Sequence, residues 1–246
     1  MTWKILITDG IESAGKEILT QECIVDDKKG IEAAELLQII PEYDAVIIRG
    51  RTKMTAEVIA AAKNLKVIGR MGVGVDNIDL KAAQAHQISV VNAAVATTQA
   101  VAELTLGFMF ALVREIPRAD ASMKAGQWLK KEFNGAELFG KTLGIIGFGN
   151  IGSTVGKYAQ ALGMNVLAFD PFRDQANIIA QGAECVSFDE LLSRSDMISI
   201  HAPYKEQNHH LINDEAFAKM KDGVFLVDDA RGGIVDEEAL LRALES

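Results

Sequence analysis

The stretch TLGIIGFGNIGSTVGKYAQALGMNVLAFD, residues 142–170, decides how this chain folds. It passes from a short apolar segment into the pattern G-x-G-x-x-G, continues through a helical segment, and ends in a second apolar segment followed by Asp170. The glycines of the pattern are Gly147, Gly149 and Gly152. This order is typical of a strand–turn–helix–strand unit with parallel strands, the kind of unit that binds dinucleotides.

Each glycine has a separate role in such a unit. Gly147 permits the tight turn out of the strand, Gly149 lets a pyrophosphate approach the backbone, and Gly152 allows the helix to pack closely on the sheet. The helix N-terminus presents N–H groups and a partial positive charge to the phosphates. The alternative is a glycine turn in some other α/β unit, which leaves Asp170 unexplained.

Asp170 bears on which dinucleotide is bound. It follows Gly152 by 18 residues, close to the roughly 20 expected for the acid that binds the ribose hydroxyls. A carboxylate at this position repels a 2′-phosphate, so the sequence predicts NAD as the cofactor rather than NADP. Arg173, the nearest arginine, weakens this preference slightly without reversing it.

The composition excludes several classes of protein. With 246 residues, 49% of them apolar, the chain can build one large or two modest domains. A net charge of −9 argues against contact with nucleic acid or an anionic membrane. The two cysteines are distant from each other, so no metal site is predicted, and they suit a cytoplasmic protein. The N-terminus is not a signal peptide, and the apolar run at 104–113 is too short to span a bilayer.

Strand-like and helical segments alternate along the chain. This pattern predicts an α/β fold with two Rossmann-like or flavodoxin-like domains containing parallel sheets, the second incomplete at its C-terminus. We expect a substrate-binding domain at 1–96 and an NAD-binding domain at 97–246. The predicted strands lie at 4–8, 24–26, 45–48, 66–68 and 89–92, and then at 142–146, 165–169, 185–186, 197–200 and 224–227. The predicted helices of the first domain lie at 13–20, 31–40, 56–63 and 80–86.

Residues 97–114 read as one long helix that is apolar on most sides. A helix of this kind is buried, either in a core or in a subunit interface. The segment that follows is more polar, with Trp128, Phe133 and Phe139 spaced along it. We therefore expect a homodimer that forms through the region 97–139.

Five segments together resemble the D-2-hydroxyacid dehydrogenases, most closely the D-3-phosphoglycerate dehydrogenase group. They occur in the order expected of that family, and the resemblance covers the whole chain. The segments are IRGRTKMT at 48–55, GRMGVGVDNIDL at 69–80, VAELTLG at 101–107, GKTLGIIGFGNIG at 140–152 and ARGGIVDEEALLRAL at 230–244.

The resemblance implies a set of substrate contacts. Arg231 matches the catalytic arginine that clamps the substrate carboxylate through two hydrogen bonds and polarises the C2 oxygen. Val73 and Gly74 match a loop whose backbone N–H groups hold the same carboxylate. Arg49 and Arg51 match a loop that reaches a substrate phosphate, although a solvated basic loop explains them equally well.

The resemblance also implies cofactor contacts beyond the glycines and Asp170. The N–H groups of Asn150 and Ile151 would lie at the pyrophosphate. The segment His201, Ala202 and Pro203 would contact the adenosine half of the cofactor, and the backbone at Asp229 and Ala230 would border the nicotinamide. His201 could be mistaken for the catalytic base, but the family has its base in a later segment.

The family's catalytic Glu and His follow the ARGG segment by some tens of residues, so the resemblance places both beyond Ser246 and implies a C-terminally truncated member. The expected function is NAD-dependent oxidation of a D-2-hydroxy acid, with 3-phosphoglycerate as the favoured substrate. A small anionic acid such as glyoxylate or hydroxypyruvate is one alternative. A second is a catalytically silent NAD-binding regulatory module, since NHHLIND at 208–214 resembles the corepressor branch of the superfamily. A third is a structural or non-folding fragment.

Overall fold

The computed structural model describes residues 2–246, which divide into two compact units. The first unit ends at Thr97, and the second is Thr98–Ser246. Each unit contains one five-stranded sheet in which all strands are parallel. The assignment of substrate binding to the first unit and of cofactor binding to the second stays a prediction.

The first sheet has the strand order β2-β1-β3-β4-β5, the flavodoxin-like order. The order in which strands are added to the sheet reverses between β1 and β3. In open α/β sheets, ligands bind at such a switch point. The apolar core consists of residues from the strands and helices of this unit, including Leu6, Val46 and Ile68. Its strands are β1 Lys4–Ile7, β2 Ile24–Asp27, β3 Ala45–Ile48, β4 Val67–Arg70 and β5 Ser89–Asn92. Its helices are α1 Ser13–Thr20, α2 Ala33–Ile39, α3 Ala56–Ala61 and α4 Leu80–Ala85, with a 3-10 turn at Ile40–Glu42.

The second sheet has the strand order β10-β9-β6-β7-β8, and the order in which strands are added reverses between β6 and β9. Its strands are β6 Thr142–Ile146, β7 Asn165–Phe169, β8 Glu184–Cys185, β9 Met197–Ile200 and β10 Phe225–Asp228. Its longer helices are α5 Thr98–Val113, α6 Ile116–Lys124, α7 Asn150–Ala161, α8 Gln175–Ala180, α9 Phe188–Arg194 and α11 Glu237–Glu245. A short helix α10 covers Asp214–Phe217, and 3-10 turns lie at Lys130–Glu132 and Glu206–Asn208.

Adjacent residues of a strand in this sheet belong to different apolar clusters, because successive side chains point to opposite faces. Ile145 packs with residues of α5 and α7, whereas Ile146 packs with residues of α9 and α10. The strand β6 is therefore covered on both faces, which explains its uninterrupted apolar sequence. The central position of β6 places the turn that follows it at the switch point.

Helix α5 is buried along one side only in the single chain. Its buried residues are Ala102, Thr105, Met109 and Val113, which form a single stripe along the helix. Large apolar side chains on its other sides are exposed in the single chain, namely Leu104, Phe108, Phe110 and Leu112. In one chain the core therefore accounts for the burial of this stripe only. The subunit interface stays a prediction.

Membrane-spanning helices and metal-binding clusters are both absent from the described residues. No helix in residues 2–246 is long and apolar enough to cross a membrane. The same residues contain no group of three or more His, Cys, Asp or Glu side chains arranged to hold a metal ion.

Candidate functional site

The glycine-rich turn after β6 lies against the end of β9, across the switch point of the second sheet. Gly147 has a φ of +89°, which favours glycine. A Cβ at Gly147 would lie 2.8 Å from the carbonyl carbon and oxygen of His201. The N–H of His201 donates to the carbonyl of Ile146 at 2.7 Å, which fixes this close approach. Any side chain at Gly147 would therefore separate the turn from β9.

The other two glycines of the turn have different surroundings. A Cβ at Gly152 would overlap the carbonyl oxygen of Gly147, so the first turn of α7 packs directly on the loop. A Cβ at Gly149 would meet no heavy atom closer than Nη2 of Arg173, at 4.0 Å. Gly149 is also the N-cap of α7 and provides no side chain to cap its N–H groups. The space outside Gly149 is thus open and faces hydrogen-bond donors, which fits a pyrophosphate.

Asp170 lies at the end of β7 and is held by two backbone groups. One carboxylate oxygen accepts the N–H of Phe148 at 2.8 Å, and the other accepts the N–H of Phe172 at 2.9 Å. These bonds connect Asp170 to the glycine-rich turn itself. Each carboxylate oxygen can still accept a further hydrogen bond. The arrangement is compatible with ribose binding by Asp170, which stays a prediction.

The side chain of His201 points into the protein. It is 2% exposed, and its Nε2 lies 2.9 Å from the Ser199 hydroxyl. Burial lowers the pKa of His201 to about 4, although the carboxylate of Asp229 opposes the shift. If His201 contacts a cofactor, it does so through its backbone, because the imidazole is not accessible. Ala202 and Pro203 continue the chain beyond the end of β9.

Asp229 also points inward and makes a contact that the sequence analysis missed. Its side chain is 7% exposed, and one oxygen accepts the Thr105 hydroxyl at 2.5 Å. The other oxygen has no hydrogen bond and lies 3.5 Å from Nδ1 of His201. Nothing in the sequence distinguishes Thr105 from the other polar residues of this helix, Thr98, Gln99 and Glu103. This carboxylate is turned away from solvent and toward Thr105 and His201.

The loop that contains Arg231 is held at both ends. Asp228 accepts the N–H of Ala230 at 3.0 Å and also a backbone hydrogen bond from Arg231, while burial raises the pKa of Asp228. The Arg231 guanidinium donates to the carbonyl of Ala230 at 2.7 Å. Farther along, the N–H of His210 donates to the carbonyl of Gly233 at 2.8 Å. The geometry fits a rigid loop that presents an arginine.

In the first unit, Asp9 organises the loop that follows β3. Its carboxylate, 5% exposed, accepts hydrogen bonds from the N–H of Arg49 at 2.7 Å and from the Thr52 hydroxyl at 2.7 Å. Burial raises the pKa of Asp9, but these hydrogen bonds outweigh it and hold the pKa below its usual value. From the other side, the amide of Asn77 donates to the carbonyl of Arg49 at 2.8 Å.

The two arginines of this loop point to different partners. Arg51 donates to the carbonyl of Ile31 at 2.9 Å, and its Nε lies 3.4 Å from Asp9. The guanidinium of Arg49 has only a long contact of 3.5 Å with the exposed carboxylate of Glu12. Arg51 is therefore engaged within the unit, and Arg49 is the arginine better placed for a phosphate.

Replacing Asp9 with alanine is expected to lower the free energy of unfolding by about 1–3 kcal/mol, because three donors from Arg49 and Thr52 lose their acceptor. Urea denaturation measures this change. Glu12→Ala is the matched control, since it removes an exposed carboxylate near the same Arg49 and should change stability by less than about 0.5 kcal/mol. Equal effects of the two substitutions would show that Asp9 does not organise the loop.

The loop at 72–74 is supported by Arg70, which the sequence analysis did not single out. Gly72 has a φ of +149°, and the Arg70 guanidinium occupies the place where its Cβ would lie. Arg70 donates to the carbonyl of Met71 at 3.0 Å, and Asn92 donates to the carbonyl of Val73 at 2.6 Å. With Val73 held by its carbonyl, the loop has a defined backbone conformation. Anion binding by the N–H groups of Val73 and Gly74 stays a prediction.

Comparison with known proteins is consistent with this geometry. Residues 106–246 match the NAD binding domain of the D-isomer specific 2-hydroxyacid dehydrogenases. The chain belongs to this family. The α/β fold with two parallel sheets and NAD as the cofactor are thereby confirmed, and an enzyme of similar fold, a D-lactate dehydrogenase from Aquifex aeolicus, has been solved with NAD and lactic acid. That structure is 32% identical and covers 98% of this chain and 73% of its own, with a TM-score of 0.86.

Other proteins similar to this chain are named for different substrates. A D-3-phosphoglycerate dehydrogenase from Synechocystis is 46% identical over 99% of this chain, and a hydroxypyruvate reductase from Thermotoga maritima is 44% identical over 99%. A solved glyoxylate reductase from Paecilomyes thermophila has a TM-score of 0.91 at 32% identity and covers 99% of this chain and 78% of its own. The chain spans 44% of the Synechocystis protein and 79% of the Thermotoga protein.

Proposed function

We propose that this member of the D-2-hydroxyacid dehydrogenase family takes part in the NAD-dependent oxidation of a D-2-hydroxy acid, with 3-phosphoglycerate as the favoured substrate. The observation that carries the proposal is the turn at the switch point of the second sheet. Its open space at Gly149, its uncapped helix N-terminus and the nearby carboxylate of Asp170 suit the pyrophosphate and ribose of NAD. The substrate preference is supported by phosphoglycerate dehydrogenases at 46% identity.

When bound, NAD supplies the hydride acceptor for oxidation at C2 of the substrate. The residues of this chain would bind and orient the substrate. Arg231 would hold the substrate carboxylate through two hydrogen bonds, and its positive charge would polarise the C2 oxygen. The N–H groups of Val73 and Gly74 would bind the same carboxylate, and Arg49 would bind a phosphate. The buried imidazole of His201 has no part in moving the hydroxyl proton, since solvent and substrate do not reach it.

A non-phosphorylated acid is the second candidate substrate. It is favoured by the engagement of Arg51 within the first unit, which leaves Arg49 as the more available arginine of that loop for a phosphate dianion. The hydroxypyruvate reductase and glyoxylate reductase among the similar proteins support this alternative. Both candidates share the 2-hydroxy acid group and the proposed roles of Arg231, Val73 and Gly74.

We also propose that the chain forms a homodimer through the region 97–139. Four large apolar side chains of α5 are exposed in the single chain, Leu104, Phe108, Phe110 and Leu112. Trp128 and Phe139 of the same region are also exposed, and exposed apolar patches mark association sites. Light scattering on the sample used for the melts below would give twice the chain mass if the proposal holds, and the single-chain mass would contradict it.

Thermal melts of the 246-residue chain with NAD and with NADP test the proposed function. NAD at about 100 times its Kd should stabilise the folded chain by about 2.7 kcal/mol, and NADP should stabilise it less. NADH formation is then followed with 3-phosphoglycerate and with D-glycerate as substrates. Faster turnover of 3-phosphoglycerate supports the favoured substrate, and faster turnover of D-glycerate supports the alternative. A shift by NAD without turnover of either would support cofactor binding alone, because the resemblance places the family's catalytic Glu and His outside these residues, and no shift by NAD would contradict the placement of the cofactor.

A further inference from the structure

Arg173 has an unusual position in the second unit. It follows Asp170 by three residues in the loop that leads to α8, and its N–H lies 3.4 Å from the carbonyl of Asp170. Its side chain extends back toward the glycine-rich turn. Nη2 of its guanidinium lies 4.0 Å from the place that a Cβ of Gly149 would occupy, and no other heavy atom outside the neighbouring residues of the chain lies that close. Arg173 is thus adjacent to the open space in which the cofactor phosphates are expected.

The charge of Arg173 is not neutralised within the part of the chain that the structure describes. Its guanidinium has no hydrogen bond, ion pair or ring contact there. Three other arginines of this unit are paired with carboxylates: Arg118 with Glu115 and Glu132, Arg194 with Glu184, and Arg242 with Asp214. The adjacent acid, Asp174, caps α8 by accepting the N–H of Ala176, and Asp170 already accepts two backbone N–H groups. In a chain with a net charge of −9, an unpaired cation beside an uncapped helix N-terminus indicates an anion site.

We propose that Arg173 binds the pyrophosphate of NAD, together with the N-terminus of α7. This inference rests on the proposed placement of the cofactor at the glycine-rich turn. A pyrophosphate carries two negative charges, and the α7 N-terminus contributes only a partial positive charge through N–H groups. A guanidinium adds charge-assisted hydrogen bonds, which are about twice as strong as neutral ones. The absent side chain of Gly149 leaves room for the phosphates between these two groups.

A 2′-phosphate is the other anion that Arg173 could bind. The location of the guanidinium favours the pyrophosphate, since Nη2 lies beside Gly149, the residue at which a pyrophosphate approaches the backbone. The carboxylate of Asp170 would repel a 2′-phosphate at the ribose. Nearby, the ammonium of Lys205 lies 4.2 Å from the ring centroid of Phe172, so that cation is engaged in a cation–π contact.

Calorimetric titration of the full chain and of Arg173→Ala with a series of nucleotides tests the inference. The Kd values of NAD and ADP should rise about 10- to 100-fold in the variant, because one charge-assisted interaction is lost. The Kd of adenosine, which lacks phosphate, should stay the same. The ratio of the Kd values of NAD and NADP should also stay the same, because both cofactors contain the pyrophosphate. Arg173→Lys, which keeps the charge without the planar fork, should give an intermediate result.

Lys157→Ala is the matched control, since it removes an exposed positive charge from α7 itself. It should leave the Kd of NAD within about 2-fold of the original, so a similar loss in both variants would overturn the specific contact. Weaker binding of NADP alone in Arg173→Ala would assign Arg173 to a 2′-phosphate and overturn the inference. NAD binding that is unchanged in the variant would overturn it while leaving the proposed function intact. Failure of the unsubstituted chain to bind NAD would overturn both.

Discussion

The substitutions Gly149→Ala and Gly152→Ala are expected to impair NAD binding for different reasons. Gly152→Ala should lower the free energy of unfolding by about 3 kcal/mol, because its Cβ would overlap the backbone carbonyl of Gly147 and the first turn of α7 must move. Gly149→Ala places its Cβ in open space, where the nearest atom is the end of a flexible arginine side chain. The free energy of unfolding of Gly149→Ala should change by less than about 1 kcal/mol, which is the cost of alanine at an N-cap.

The expected effect of Gly149→Ala is on the cofactor. The added methyl group occupies the space through which a pyrophosphate reaches the N–H groups of α7, so the Kd of NAD should rise at least about 100-fold. Urea denaturation with and without NAD separates the two variants. Gly149→Ala should unfold like the original protein without NAD and show no stabilisation by NAD. Gly152→Ala should unfold at lower urea concentration in both conditions.

Two results would contradict this account. Stabilisation of Gly149→Ala by NAD to the original extent would mean that the cofactor does not approach the backbone at this turn. An unchanged unfolding midpoint for Gly152→Ala would mean that the close packing of α7 on the turn is not required by the fold. The second result bears on the structure alone, and the first bears on the site.

The strands of both sheets were largely predictable from the sequence, for a local reason. Parallel strands buried on both faces are continuous apolar runs bounded by turn residues. The predicted strands at 45–48, 142–146 and 197–200 therefore agree with β3, β6 and β9 at both ends. The helix α5 was less predictable, because its apolar sequence does not distinguish sides that face the core from sides that are exposed in one chain.

The polar contacts of the candidate site were mostly beyond prediction, because they depend on which elements are neighbours. Asp9 and Arg49 are 40 residues apart, and they meet because β1 and β3 are adjacent strands. Thr105 and Asp229 are 124 residues apart and meet because α5 packs on β10. Periodicity and motifs report local structure only. The sequence could therefore indicate the glycine-rich turn, whose parts are close along the chain, but not the inward direction of Asp229 or the partners of Arg51.

A buried histidine is expected to make this protein lose stability on mild acidification. Burial lowers the pKa of His201 to about 4, against the opposing effect of Asp229, whereas an imidazole in the unfolded chain has a pKa of about 6.5. Between these values the unfolded state binds more protons than the folded state, so the free energy of unfolding falls as the pH falls. The stabilisation is complete above about pH 6.5, and about 2 kcal/mol of it should be lost by about pH 5.

The interval between about pH 7 and about pH 5 isolates His201 from the carboxylates, whose usual pKa values lie lower. Asp9 and Asp196 have lowered pKa values, so their contributions to stability are present above their usual value of 3.8 and are lost only below it. Asp228 has a raised pKa, because burial disfavours its charge, and it acts in the opposite direction. Its protonation on acidification favours the folded state, which opposes the effect of His201 at the acidic end of the interval.

Urea denaturation of the original protein and of His201→Gln across this pH interval tests the prediction. Glutamine takes up no proton in this interval, so the free energy of unfolding of the variant should depend less on pH, even if the substitution lowers it at every pH. His86→Gln, at an exposed position after α4, should retain the pH dependence of the original protein. An equal slope in His201→Gln and the original protein would show that His201 is not the group responsible. The test depends on slopes rather than on absolute stability, so it remains decisive even though a glutamine side chain would fit the buried site less well than the imidazole.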